Sequence, residues 1–313
     1  MSDIPTRLKV VFMGSPEFAL PCLHLLQKET ELLAVVSAPD KPAGRGKQLS
    51  SSPVATYARE QKIPLLQPER LKNPEFLDQL KSLQADLFVV VAFRMLPEAV
   101  WNMPAVGTLN VHASLLPQLR GAAPIQWAIA HGLKETGLTT FRLKHEIDTG
   151  DILEQLSLPI AADETGGSLY EKLMQAAPGL LHNTLNGLAA NTLVPIPQEL
   201  GTNETLLPAP KIQRQHAFLH PEMRVQQAER YVRAFDPIPG AALALVLESG
   251  ERIEIKVKEA RRPKETGQQG LKVAFIDGEL EILRLQPAGK GLMDASAFLR
   301  GLRQPVKGWL PLG

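Results

Sequence analysis

The chain has 313 residues, 44% of them hydrophobic and 21% charged, with a formal net charge of +1. That composition excludes a disordered chain and supplies enough apolar material for a core, while the length favours two domains. Its longest apolar runs, such as Leu87 to Phe93, fall far short of the roughly 20 residues needed to cross a bilayer. Residues 8–13 form an apolar run ending at Gly14 and read as a buried parallel strand. Ser15-Pro16-Glu17 has the form of a helix start, with Ser at the cap and Pro at the first position. Further strands are predicted at 32–37, 85–92, 106–111, 139–143 and 152–157. Helices are predicted at 74–83 behind Asn73, at 124–131 with Pro124 in its first turn, and at 169–190 with a kink at Pro178.

Strands alternating with helices imply a parallel sheet covered on both faces. Between Asn191 and Pro210 four prolines and few periodic apolar residues read as a linker. One helix at 223–234 and short strands at 241–248, 252–260, 271–276 and 280–285 follow, separated by turn signals such as Ser249-Gly250 and Asp277-Gly278. The expected class is α/β. A Rossmann-like, doubly wound, mostly parallel sheet occupies 1–193, a linker 194–210, and a small OB-like β-barrel 211–313.

The start of the chain shows no basic region, apolar stretch and cleavage site in that order, so a cytoplasmic protein is expected. A lone Cys22 excludes an internal disulfide and a cysteine-based metal site, and reads as a core residue. Residues 1–200 carry 17 Lys and Arg against 20 Asp and Glu, whereas residues 201–313 carry 17 against 13. A basic last third can meet a phosphate backbone, or be a solvated surface.

The chemistry concentrates in 110–124 and 145–151. Asn110 and His112 are two apart at a predicted strand end, so their side chains share one face. In an open parallel sheet, ligands bind beyond the carboxyl ends of the strands. His145-Glu-Ile-Asp148-Thr-Gly150-Asp151 is a polar loop that Gly150 lets bend tightly. Asn, His and Asp together suit acyl-type transfer. An amide can donate to a carbonyl oxygen as it gains charge, imidazole can pass protons near neutral pH, and a carboxylate can orient the ring or a water. Lys41-Pro-Ala-Gly-Arg45-Gly-Lys47 places three cations and two glycines in seven residues, a positive tongue suited to phosphates or an unpaired base.

Asn110-x-His112 followed by Ser114-Leu115-Leu116-Pro117, then Arg120-Gly-Ala-Ala-Pro124 and Asp148-Thr-Gly-Asp151, resembles the folate-dependent formyltransferases. Phe12 to Phe18, Pro39 to Lys47 and Leu285 to Lys290 narrow the resemblance to members that act on charged initiator tRNA. The resemblance implies that Asn110, His112 and Asp148 are catalytic, and that Ser114, Leu115, Leu116 and Pro117 bind folate. Arg45, Lys41 and Lys47 would meet the tRNA acceptor end. It implies 10-formyltetrahydrofolate as formyl-donating co-substrate, with no metal. The partners would be folate and charged initiator tRNA, with no membrane, and a monomer is expected. Two segments depart from the family pattern. Phe93-Arg94-Met95 replaces a Tyr-Gly pair, leaving Arg94 either a ligand contact or a packed arginine. Phe218-Leu-His-Pro221 stands where an Asp-Trp pair is common. An amino-sugar formyltransferase would share 110–151. A dinucleotide-binding protein is disfavoured, since only Gly14 marks the first turn. An RNA-binding module with dead chemistry is disfavoured by the intact trio.

Overall fold

A computed structural model describes residues 7–43, 48–199, 205–263 and 270–312. In chain order the first part contains β1 (Lys9–Gly14), α1 (Leu20–Glu29), β2 (Glu31–Val36), α2 (Pro53–Glu60), β3 (Leu65–Leu66), α3 (Pro74–Ser82), β4 (Leu87–Val91) and β5 (Gly107–His112). Then come α4 (Pro124–Ala130), β6 (Glu135–Arg142), β7 (Ile152–Pro159) and α5 (Gly166–Ala189). The last part holds α6 (Val225–Ala234), β8 (Ala241–Leu247), β9 (Arg252–Arg261), β10 (Leu271–Phe275), β11 (Gly278–Pro287), α7 (Ala295–Arg300) and β12 (Val306–Leu310).

Two compact units divide the chain. The first comprises Met1–Arg120, Thr136–Leu158 and Tyr170–Leu207, and the second Gly121–Glu135, Pro159–Leu169 and Pro208–Gly313. The sequence-based cut at 194–210 therefore misses two excursions of the N-terminal part, 121–135 and 159–169. Helix α4 packs with α6 because its aromatic face is built for that. Trp127 meets the Phe235 ring at 6.2 Å and the His216 ring at 5.6 Å. Its indole N–H donates to the Pro210 carbonyl at 2.8 Å.

The first sheet runs β3-β2-β1-β4-β5-β6-β7. Pairing is parallel from β3 through β5 and turns antiparallel between β5 and β6. Strand β4 is buried at every position, and β1 at all but Lys9, as covering on both faces requires. Asn73 caps α3 as predicted, its Oδ1 accepting from the Glu75 N–H at 3.0 Å. Ser15 does not cap α1. A 3-10 turn, Glu17–Ala19, precedes the helix, and Ser15 Oγ accepts instead from the Ala38 N–H at 3.1 Å. Helix α5 continues through Pro178. Cys22 is fully buried as expected, and burial pushes its thiol up to about 12, leaving it an inert core side chain.

The second unit's sheet has the order β10-β11-β9-β8-β12. Its two outer strands meet through a side chain. The Trp309 indole N–H donates to the Ala274 carbonyl at 2.9 Å, and its ring lies 5.0 Å from Phe275. This contact brings the expected barrel close to closure. Neither β12 nor α7 was expected from the sequence. Inside lie Leu243, Leu245, Ile255, Val257, Leu280 and Ile282, with α6 contributing Val225, Ala228 and Val232. Leu219, within the departing segment 218–221, is fully buried and its N–H donates to Ala242.

Candidate active site

Asn110 and His112 lie on β5, flanked by β4 and β6. Asn110 stands opposite Val90 on one side and Phe141 on the other, and His112 opposite Thr139. The pair sits at the carboxyl end of the parallel strands, where ligand sites form in such sheets. Asn110 is half-buried, and its side-chain amide makes no hydrogen bond among the described residues. An uncommitted amide at this position is available to a ligand oxygen.

His112 is buried, with its ring edge-on to Phe141 at 6.4 Å. Its Nε2 lies 2.9 Å from the Leu119 carbonyl oxygen. A carbonyl only accepts, so Nε2 carries a hydrogen, and in the neutral form of the ring the lone pair is at Nδ1. The turn 113–119 is shaped to deliver that carbonyl. Leu119 has φ +59, and its N–H donates to Leu207 at 2.8 Å.

Asp148 Oδ2 lies 3.9 Å from His112 Nδ1, the two side chains being 13% and 7% exposed. That separation is too long for a direct hydrogen bond but places a carboxylate beside any imidazolium that forms. The loop holding Asp148 is conformationally demanding. Asp148 has φ +54, a region that Asp tolerates better than most residues. A Cβ at Gly150 would stand 1.5 Å from the Arg142 carbonyl oxygen, so only glycine passes there. The sequence reading named Gly150 for its bend; close approach to backbone is the stronger reason.

Ser114 is fully buried, and its hydroxyl donates to the Gln118 carbonyl at 2.7 Å. Thr139 braces the same turn. Its hydroxyl donates to Ser114 O at 2.7 Å and receives the Leu116 N–H at 3.1 Å. Gln155 Nε2 donates to Leu116 O at 2.9 Å. Ser114 and Leu116 thus shape the turn from inside, while Leu115 and Pro117 are only half-buried and can present apolar surface. Arg94 is a packed arginine. It donates to the carbonyls of Glu69 and Pro68, and burial lowers its pKa.

Lys41 is exposed on the short strand Lys41–Ala43, which pairs antiparallel with Gln48–Ser50. Arg45 and Lys47 lie outside the described residues. Just before the hairpin, Asp40 accepts from Gln67 Nε2 at 2.8 Å and Arg59 Nη2 at 2.7 Å. Those bonds from Gln67 and Arg59 hold its carboxyl below the usual range.

Gln198 escaped the sequence reading, and so did the contact that Arg120, quoted there only as part of a motif, makes with it. Gln198, in the expected linker, donates from Nε2 to the carbonyls of Asp148 at 2.9 Å and Gly150 at 2.7 Å. Arg120 donates to Gln198 Oε1 from Nε at 3.0 Å and Nη2 at 2.8 Å. A glutamine in a proline-rich stretch carries no local signal of such a role. Among the described residues no cluster of three or more His, Cys, Asp or Glu could hold a metal, and no helix is long and apolar enough to cross a membrane.

Residues 8–185 match the formyl transferase family and residues 211–303 the formyl transferase C-terminal domain. A methionyl-tRNA formyltransferase of Bacteroides thetaiotaomicron is 42% identical over 309 residues, covering 95% of this chain and 96% of that protein. One from Porphyromonas gingivalis is also 42% identical, covering 94% and 96%. Among solved structures, an N-formyltransferase from Helicobacter canadensis, in complex with folinic acid and dTDP-3-aminofucose, superposes with TM-score 0.63 at 18% identity, covering 90% of this chain and 99% of that one. HypX from Aquifex aeolicus, in complex with tetrahydrofolic acid, gives TM-score 0.60 at 17% identity over 94% of this chain, which spans 47% of that protein. These two likenesses concern the fold, while the identity to the curated relatives extends over nearly the full length of both partners. The chain belongs to the formyl transferase family, among its methionyl-tRNA formyltransferases.

Proposed function

We propose that this enzyme moves the formyl group of 10-formyltetrahydrofolate to the α-amine of methionine on charged initiator tRNA, with Asn110, His112 and Asp148 as its catalytic residues. The observation that carries the site assignment is the polarity of His112. Its Nε2–H is committed to Leu119 O, so Nδ1, beside Asp148, is the basic atom. The uncommitted amide, the base and the adjacent carboxylate fit a formyl donor without a metal.

When bound, the folate supplies a formyl carbon on N10 that an amine can attack. The Asn110 amide N–H donates to the formyl oxygen as that atom gains negative charge. His112 Nδ1 takes the proton that the attacking amine sheds. Asp148 then stabilises the resulting imidazolium, while Leu119 O holds the other ring N–H and prevents the ring from turning. The proton so held is the one the departing N10 needs. Leu115 and Pro117, on the rigid turn braced by Thr139, would line the folate. The basic second unit and the 41–47 segment would serve the tRNA, in the cytoplasm and with one chain sufficient.

The direct test supplies labelled 10-formyltetrahydrofolate with charged initiator tRNA in one tube and an amino-sugar nucleotide in another. Label is expected on the tRNA alone. Label on the sugar nucleotide alone would overturn the tRNA assignment.

Arg45 is expected to guide the acceptor end. Arg45→Ala should weaken tRNA binding and transfer, and leave folate affinity unchanged. Loss of a phosphate contact lowers the slope of log affinity against log salt by roughly 0.7–0.9 unit. Loss of base stacking instead removes roughly 1–3 kcal/mol with little change of slope. Unchanged tRNA affinity in a salt titration would remove the loop from recognition.

A further inference from the structure

We infer that Gln198 is a positioning residue whose side-chain amide sets the distance between the Asp148 carboxylate and His112. The inference rests on the reading above, in which Asp148 works with the His112 imidazolium.

The Gln198 amide is fully used. Oε1 receives two N–H groups from Arg120, and Nε2 gives its two hydrogens to the carbonyls of Asp148 and Gly150. The reversed amide would set N–H against N–H and oxygen against two carbonyls, so the partners fix its orientation. The two carbonyls it holds flank Thr149 in the loop where Asp148 has φ +54 and Gly150 touches the Arg142 backbone. These are the residues whose small movements would swing the Asp148 carboxylate.

Gln198 is itself anchored. Two residues earlier, Ile196 exchanges both backbone hydrogen bonds with Ile152 at 2.8 Å. The stretch read as a linker is therefore a strand-like clamp beside β7 at this point. Arg120 follows Leu119 directly, and Leu119 O fixes the His112 ring. The contacts close a circuit. Starting from His112, it passes through Leu119 and its neighbour Arg120 to Gln198, then through Asp148 back to His112 at 3.9 Å. One side of the catalytic pair is set by Leu119, the other by the residue that Arg120 holds. A fixed circuit of this kind keeps the carboxylate in register with the ring, where misplacement by about 1 Å can cost about 100-fold in rate.

The test is single-turnover transfer to charged initiator tRNA, enzyme in excess, for Gln198→Ala and Gln198→Glu. The second variant keeps the shape and an acceptor for Arg120, and replaces the two donors by a charged oxygen that faces the Asp148 and Gly150 carbonyls, so it serves if the alanine variant folds poorly. Both are expected to lose roughly 10- to 100-fold in maximal rate, with folate and tRNA affinities nearly unchanged. The deciding arm repeats Gln198→Ala in an Asp148→Asn background, since coupled residues are non-additive. There the further loss should nearly vanish. The same loss in both backgrounds, or full activity in Gln198→Glu, would overturn the inference. Full activity in Asp148→Asn alone would instead overturn the reading it rests on.

Discussion

Asn110→Ala and His112→Ala are each expected to lower the maximal rate of formyl transfer by roughly 10²–10³-fold, the usual cost of one oxyanion donor or one general base. The two variants should differ in stability. The Asn110 amide makes no hydrogen bond among the described residues, so its removal should scarcely change the melting temperature. His112→Ala leaves the Leu119 carbonyl without its donor, which costs about 1–3 kcal/mol if the oxygen stays buried. Thermal melts beside initial rates separate the two effects. Wild-type turnover in Asn110→Ala would remove the amide from the mechanism. A loss confined to folate affinity would make it a binding residue alone.

Gly150→Ala is expected to damage fold and chemistry together. The added methyl would lie 1.5 Å from Arg142 O and 2.8 Å from Arg142 C, and backbone cannot yield as a flexible side chain can. The loop must move, carrying Asp148 away from His112. A stability loss of about 3 kcal/mol and a rate loss of about 100-fold are expected. Gly179→Ala makes the matched contrast. Gly179 lies inside α5 with nothing within 4 Å of the added methyl, so that change should stabilise by up to about 1 kcal/mol. Denaturant unfolding of both variants reads the difference, and a Gly150→Ala protein as stable and active as wild type would show the loop to be slack.

The sheet was legible because burial on both faces writes continuous apolar runs, as in Leu87–Val91, and because Asn73 and Pro124 mark helix starts in the local sequence. The shared face of Asn110 and His112 was legible from strand period, and Asp148 from its polar loop. Their joint role was named by resemblance, and the distance from Asp148 to His112 is a tertiary fact no spacing contains. The assignment of α4 to the second unit was hidden for the same reason. Trp127 could fill any core, and only the folded chain shows that it meets Phe235. The proline-rich stretch misled most. Prolines signalled a linker, yet Ile196 pairs with Ile152 and Gln198 holds the loop of Asp148 and Gly150, both through bonds to residues more than 40 positions away. The Ser15 cap failed because Ser15 had a better partner in the Ala38 N–H, again outside its own segment.

The central claim is that a carboxylate at Asp148 stabilises positive charge on His112 as the amine is acylated. Asp148→Asn keeps the size of the side chain and removes only its charge. The measurement is single-turnover formylation of charged initiator tRNA by this variant, with folate and tRNA affinities determined on the same preparation. A rate at least about 100-fold below wild type, with both affinities retained, is the predicted result. An undiminished rate would contradict the account.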